Sequence, residues 1–301
     1  MEKYSMIPEM KRITDINFLN KADALKPVLI ENIRKPQSIV EIAKTTAGSA
    51  KVVKKTDISA LSDMRFSKGD KVCLDFGNHY VGYLTLHLSS AGSPPDAPLF
   101  LKLKFGENAA EITDRSEDYD GWISRSWIQE EWLHIDVLPA VITLPRRYAM
   151  RFIEITVIDS SMKYQAVIDQ IEFKAVSSVD GESVAEISSD DDMIRKIDRA
   201  SLKTLEDCMQ DVFEDGPKRD RRLWIGDLRL QALTNYVTYK NYDLVKRCLY
   251  LFAGTRMEKG EVGACLFTEP ENLVDDTYLF DYALFFVSIL LDYFKESGDK
   301  E

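Results

Sequence analysis

Several features that would settle a protein's chemistry early are scarce in this 301-residue chain. Only three histidines occur, His79, His87 and His134, at no metal-ligand spacing, so no metal site is expected. The four cysteines, Cys73, Cys208, Cys248 and Cys265, include no CxxC pair. That argues against a zinc knuckle or a redox dithiol and points to reduced thiols. There is no Gly-rich phosphate loop, no nucleotide motif and no Ser-His-Asp order, so no cofactor is expected. Positive charge is also short, with 39 Lys and Arg against 50 Asp and Glu, a net charge of -11 and no basic stripe. Phosphates would be repelled, which speaks against a nucleic-acid partner. Long apolar runs are missing too. The most apolar segment, Tyr278–Phe294, is broken by Asp281 and Asp292 and reads as a buried helix rather than a membrane span. The opening MEKYSMIPEMKRITD has no apolar leader core and no cleavage site, so the expected location is cytoplasmic, with no membrane partner. Internal repeats and low-complexity tracts are absent, and a homo-oligomer stays open.

What is present is a soluble composition, 45% hydrophobic and 30% charged, long enough for two domains. The pattern changes near residue 180. Before it, period-2 alternation predicts strands at Lys71–Phe76, Tyr83–Leu88, Leu99–Phe105, Trp127–Val137, Arg151–Ile158 and Ala166–Ala175. Turn chemistry such as Ser67-Lys68-Gly69-Asp70 and Gly92-Ser93-Pro94-Pro95 separates them, the pattern of an antiparallel β-sandwich over residues 56–176. Residues 1–55 are less regular and read as an arm, and the small polar stretch 177–189 reads as a linker. From residue 190 to 301 the period is 3.6. A helix starting at Ser189-Asp190-Asp191-Asp192 carries Met193, Ile194, Ile197, Ala200, Leu202 and Leu205 as its apolar face. Further helices are expected at Leu228–Tyr239, Asp243–Met257 and Asp276–Glu296, making this part all-α. The last is apolar nearly all round and calls for a larger helical domain around it.

The most informative segment is the loop Asp215-Gly216-Pro217-Lys218-Arg219-Asp220-Arg221-Arg222-Leu223-Trp224-Ile225-Gly226-Asp227. Three carboxylates and a tryptophan on a Gly/Pro-constrained loop suit sugar chemistry. Acids protonate a leaving oxygen or hold hydroxyls, and an indole offers an apolar face to a sugar ring. Singly, each residue has a plainer role. Asp227 suits a helix N-cap, Asp215 a turn, Lys218–Arg222 a solvated charge run and Trp224 ordinary core. Their joint occurrence favours the site.

This loop resembles the signature of glycoside hydrolase family 78, the α-L-rhamnosidases, roughly D-C-P-x-R-E-x-R-G-W-x-G-D. Asp215, Pro217, Arg219, Arg222, Trp224, Gly226 and Asp227 match without a gap. Upstream, Phe76-Gly77, Leu103-Lys104-Phe105-Gly106-Glu107 and Leu144-Pro145-Arg146-Arg147 resemble the sandwich that precedes the catalytic domain of the family. The resemblance implies an (α/α)6 six-hairpin barrel, of which this chain holds the first helices, and hydrolysis with inversion of a terminal α-L-rhamnoside. It implies Asp220 as general acid, in the place of the family's Glu. It implies Asp215, Arg219, Trp224 and Asp227 as sugar-binding residues, with a carbohydrate as the partner. Two departures stand out. Asp220 is one methylene shorter than Glu, and a misplacement of about 1 Å costs on the order of 100-fold in rate. Leu223 replaces a glycine, and Gly216 replaces the cysteine.

Inversion also needs a general base, with the carboxyls about 6.5–9.5 Å apart. In the family it is a Glu far downstream, so the expectation is a fragment that lacks it and is inactive alone. Glu261, Glu269, Glu271, Asp275 and Asp276 are alternatives that read better as a solvated loop. Asp281, a lone acid on an apolar helix, and Tyr282 beside it are further candidate sugar contacts. Arg221 and Arg222 are expected to point away from Asp220, since pairing would hold the acid ionised. The rival reading is a carbohydrate-binding protein without catalysis, distinguished by sugar binding in the absence of turnover.

Overall fold

The computed structural model describes residues 12–45, 49–275 and 277–301. Two compact units result. Glu31–Val176 forms one, and the segment up to Ile30 joins Ser177–Glu301 in the other. The 1–55 segment is therefore divided rather than a single arm. Its strand β1 (Arg12–Thr14) and helix α1 (Ile16–Ala24) belong to the helical unit.

The β unit contains β2 (Ile30–Arg34), β3 (Ser38–Lys44), β4 (Ala50–Asp57), β5 (Lys71–Gly92) and β6 (Leu99–Gly106). A short helix α2 (Ala109–Thr113) follows, then β7 (Glu130–Ile135), β8 (Ala140–Thr143), β9 (Tyr148–Asp159) and β10 (Tyr164–Ser177). The strand order is β2-β10-β5-β9-β6-β7, with β3 and β8 also on β5 and β4 on β3. The registers of β3 to β10 are antiparallel. Period 2 explains β6, where Leu99, Leu101, Leu103 and Phe105 are buried in the core and Phe100 and Lys102 alternate with them.

The two expected strands Lys71–Phe76 and Tyr83–Leu88 are one long strand. Its first part pairs with β3 and β9 and its second with β8 and β10, and its register on β9 shifts between Asp75 and Tyr80. Asp75 stands at the edge of that irregularity. It is 8% exposed and takes Arg151 in a two-pronged pair, Nε to Oδ1 at 2.8 Å and one terminal nitrogen to Oδ2 at 2.9 Å. Side chains from both parts of β5, including Val72, Leu74, Leu84, Leu86 and Leu88, enter a single core.

The helical unit continues with α3 (Asp192–Cys208), β11 (Leu223–Trp224), α4 (Ile225–Val237) and α5 (Tyr242–Gly254). It ends with β12 (Thr255–Met257), β13 (Cys265–Phe267), β14 (Leu273–Val274) and α6 (Phe280–Ser297). Asp191 caps α3 by accepting from the Met193 amide at 2.7 Å. The core gathers Leu19 and Ala22 of α1, Leu228 and Ala232 of α4, Leu244, Cys248 and Phe252 of α5, and Ile289 and Tyr293 of α6.

One expectation is corrected here. The unit is not all-α, because β1 pairs with β12 and β11-β13-β14 form a small sheet. The helix α6 is left partly uncovered, in keeping with its need for a larger helical domain: Phe280, Leu284, Val287, Leu291 and Phe294 are exposed, and its buried residues are Ile289 and Tyr293. Among the described residues no helix is long and apolar enough to cross a membrane.

Candidate active site

The loop that carries the acids is closed at its base by backbone pairing. Asp215 and Arg222 form an isolated antiparallel bridge, with the Asp215 amide on the Arg222 carbonyl at 2.9 Å. Inside it, the amides of Arg219 and Arg221 turn back to the Gly216 carbonyl at 2.8 and 3.3 Å. Gly216 has φ +60°, a conformation that side chains disfavour, which suits glycine in the place of the family's cysteine. The chain then enters β11, which pairs with β13, and runs directly into α4.

This entry sets the position of Asp227. The helix starts at Ile225, earlier than the sequence pattern predicts, so Asp227 lies within its first turn and is not the N-cap. The cap position is Trp224, whose side chain makes no capping bond. Burial pushes the Asp227 carboxyl above its ordinary value, and the nearby Asp215 carboxylate adds to the rise, with a smaller contribution from Asp220. The three acids of the loop thus share one electrostatic neighbourhood.

Cations partition these acids. Asp215 accepts from Arg219 at 2.7 Å. Asp220, whose side chain is 8% exposed, lies 3.4 Å from Arg219 Nε on one oxygen and 3.4 Å from Arg222 Nε on the other. Arg222 therefore does not point away from Asp220 as expected, because the Asp215–Arg222 bridge brings it to the same end of the loop. The closest approach is through Nε, and the two side chains are not joined as a two-pronged hydrogen-bonded pair. Asp220 Oδ1 and Arg222 Nε are both buried without a hydrogen bond. Arg221 takes φ 54° and places Nε on the Pro217 carbonyl at 3.0 Å.

Aromatics flank the acids. Tyr282 meets Trp224 edge-on, with ring centroids 6.3 Å apart and an interplanar angle of 89°. The Trp224 Nε1 donor is buried with no partner. Gly226 allows this packing, since a Cβ there would lie 2.5 Å from Tyr282 Cζ. Burial raises the Tyr282 hydroxyl's pKa, and the Asp227 carboxylate raises it further. Asp281 is exposed in the first turn of α6, where an acid suits the helix dipole.

The sequence reading missed the far wall. Pairing of β13 with β11 and β14 carries Cys265, Phe267 and Asp275 to Arg222. Burial, with Asp275 adding, pushes the Cys265 thiol up to about 12. The signal lay in two short apolar runs, Cys265-Leu266-Phe267 and Leu273-Val274, inside a segment taken for a solvated loop. Glu269 and Glu271 are exposed, and Asp276 lies outside the described residues. Among the described residues no cluster of three or more His, Cys, Asp or Glu is arranged to hold a metal ion.

Clustered carboxylates beside two arginines, with an indole and a phenol close by, are the side-chain types that sugar chemistry uses. Comparison with known proteins gives the family. Residues 36–175 match the glycosyl hydrolase family 78 α-rhamnosidase N-terminal domain. Residues 182–301 match the bacterial α-L-rhamnosidase 6-hairpin glycosidase domain. The chain belongs to glycosyl hydrolase family 78. It is similar to a rhamnosidase from Klebsiella oxytoca solved with rhamnose bound, at 47% identity and a TM-score of 0.93, over 96% of this chain and 56% of that one. The family 78 rhamnosidase of Bacillus sp. GL1 shares the fold at 17% identity and a TM-score of 0.63, over 83% of this chain and 25% of that one. The chain thus spans little more than half the length of the Klebsiella protein. No curated protein sequence matches.

Proposed function

We propose that this chain carries the acid-bearing, sugar-binding part of an inverting α-L-rhamnoside hydrolase. The observation that carries the reading is the joint placement of Asp215, Asp220 and Asp227 with Trp224 and Tyr282, in a chain 47% identical to a rhamnosidase solved with rhamnose. In this reading Asp220 protonates the leaving oxygen of a terminal rhamnoside. Asp215, Asp227 and Arg219 hold the sugar hydroxyls, and Trp224 and Tyr282 cover its apolar face. Asp281, on the same turn as Tyr282, contacts the sugar from the solvent side. The buried, unpartnered Asp220 Oδ1 and Trp224 Nε1 support a polar ligand, since orphaned buried groups are costly unless something else bonds them.

The general base is assigned outside these 301 residues, in further helices that complete a six-hairpin barrel. The exposed apolar face of α6 supports this, because such a face is usually covered. The chain is then expected to bind L-rhamnose and to hydrolyse aryl rhamnosides very slowly. Calorimetric titration tests the site: binding of L-rhamnose that is lost in Asp227→Ala is expected, and no heat in the parent refutes the reading. Hydrolysis at an ordinary enzymatic rate by this chain alone would remove the assignment of the base.

A further inference from the structure

Arg222 is held from three sides before it reaches the acid. Its backbone is pinned by the bridge to Asp215. Its guanidinium lies 4.3 Å from the centroid of the Phe267 ring. One terminal nitrogen is 3.2 Å from Asp275 Oδ2. That same oxygen accepts from Thr277 Oγ1 at 3.0 Å and is 3.5 Å from Cys265 Sγ. Asp275 is thus fixed by its own neighbours and is well placed to fix Arg222. What remains for Asp220 is Nε at 3.4 Å, with no hydrogen bond formed.

A guanidinium is built to take a carboxylate with two parallel hydrogen bonds, and that geometry is the strongest available to it. Asp220 offers a buried carboxylate within reach, so the incomplete contact needs a cause. We propose that Asp275 is a positioning residue that holds Arg222 away from a two-pronged pair with Asp220, keeping Asp220 available to carry and deliver a proton. The inference rests on the reading of Asp220 as the acid. A closed Arg222–Asp220 pair would favour the carboxylate and withdraw the proton donor. The charged groups facing Asp220 are Arg219 and Arg222 of its own loop and Asp227 of α4, with Asp215 behind Arg219 and Asp275 behind Arg222. Of these, Arg222 is the one that Asp275 restrains directly.

The test is the crystal structure of the Asp275→Ala chain, which requires no turnover. Arg222 is expected to swing onto Asp220 with two nitrogens within about 3 Å of its oxygens. In Asp275→Asn, which keeps an acceptor, Arg222 stays in its parent position. An Arg222 that remains on Asp220 through Nε alone in the alanine variant overturns the inference. If Asp275→Ala does not fold, Asp275→Leu serves, since it fills the space without an acceptor: the same swing of Arg222 onto Asp220 is expected, and an Arg222 that keeps its parent position overturns the inference. In a form that turns over 4-nitrophenyl α-L-rhamnoside, Asp275→Ala changes the shape of the pH profile of kcat/KM and Asp275→Asn restores it, whereas a purely structural role lowers the rate at every pH alike. The L-rhamnose titration tests the proposed function separately, so failure of one is distinguishable from failure of the other.

Discussion

Substituting Gly226 by alanine separates what the helix wants from what the site wants. The added Cβ would lie 2.5 Å from Tyr282 Cζ, 2.6 Å from its hydroxyl and 2.8 Å from Cε1. Ordinary carbon contacts sit at about 3.5–4.0 Å, so the ring must retreat by roughly 1 Å. The clash is with the end of a side chain and not with backbone, so the retreat is feasible. Its cost is the edge contact with Trp224, about 0.5–1.5 kcal/mol. Against this, alanine gains up to about 1 kcal/mol over glycine in a helix. The terms nearly cancel, and urea unfolding of Gly226→Ala should differ from the parent by less than about 1 kcal/mol. Sugar affinity should not be spared, because Tyr282 is displaced. A fall of about tenfold in L-rhamnose binding, equivalent to ~1.4 kcal/mol, is expected by calorimetry. In a Tyr282→Ala background the Gly226→Ala change should be neutral or stabilising. A loss of several kcal/mol that Tyr282→Ala does not relieve would refute the steric argument.

Three other outcomes follow from the geometry. Folding raises the Asp227 carboxyl above its ordinary 3.8, so its contribution to stability is complete below that value and is lost as the pH rises through the folded pKa. Asp227→Asn should therefore gain thermal stability relative to the parent as the pH climbs above about 4, and a constant difference across pH would contradict this. Asp75→Ala removes the two-pronged partner of Arg151, and because Arg151 is 41% exposed the cost is put at the lower end, about 1–3 kcal/mol, read by denaturant unfolding of the β unit. Leu284→Glu with Leu291→Glu alters residues that are 54% and 51% exposed, so stability should change by no more than about 1 kcal/mol while any concentration-dependent association, read by sedimentation, weakens.

Local order was legible because it is written in local spacing. Alternation placed β6, β9 and β10 to within a few residues, and Asp191 with Asp192 marked the start of α3. The loop 215–227 was found from residue types and order alone. What failed was long-range. The β5 strand read as two because the residues at its irregularity break the alternation, and only pairing with β9 and β10 on either side makes it one. The segment after Gly260 read as solvent-facing because its acids dominate its composition.

The sequence by itself determined the longer strands of the β unit, the helices after residue 190 and the chemical inventory of the loop, since each depends on neighbours a few residues away. Only the tertiary structure decided which cation meets which acid. Arg222 lies next to Arg221 in sequence and two residues from Asp220, so nothing local assigns it a direction. A bridge to Asp215 and the β11-β13-β14 sheet, which brings Asp275 from 53 residues away, give it one. Charge pairing depends on distance in space, and here that distance is set by a small sheet whose partners share no local pattern.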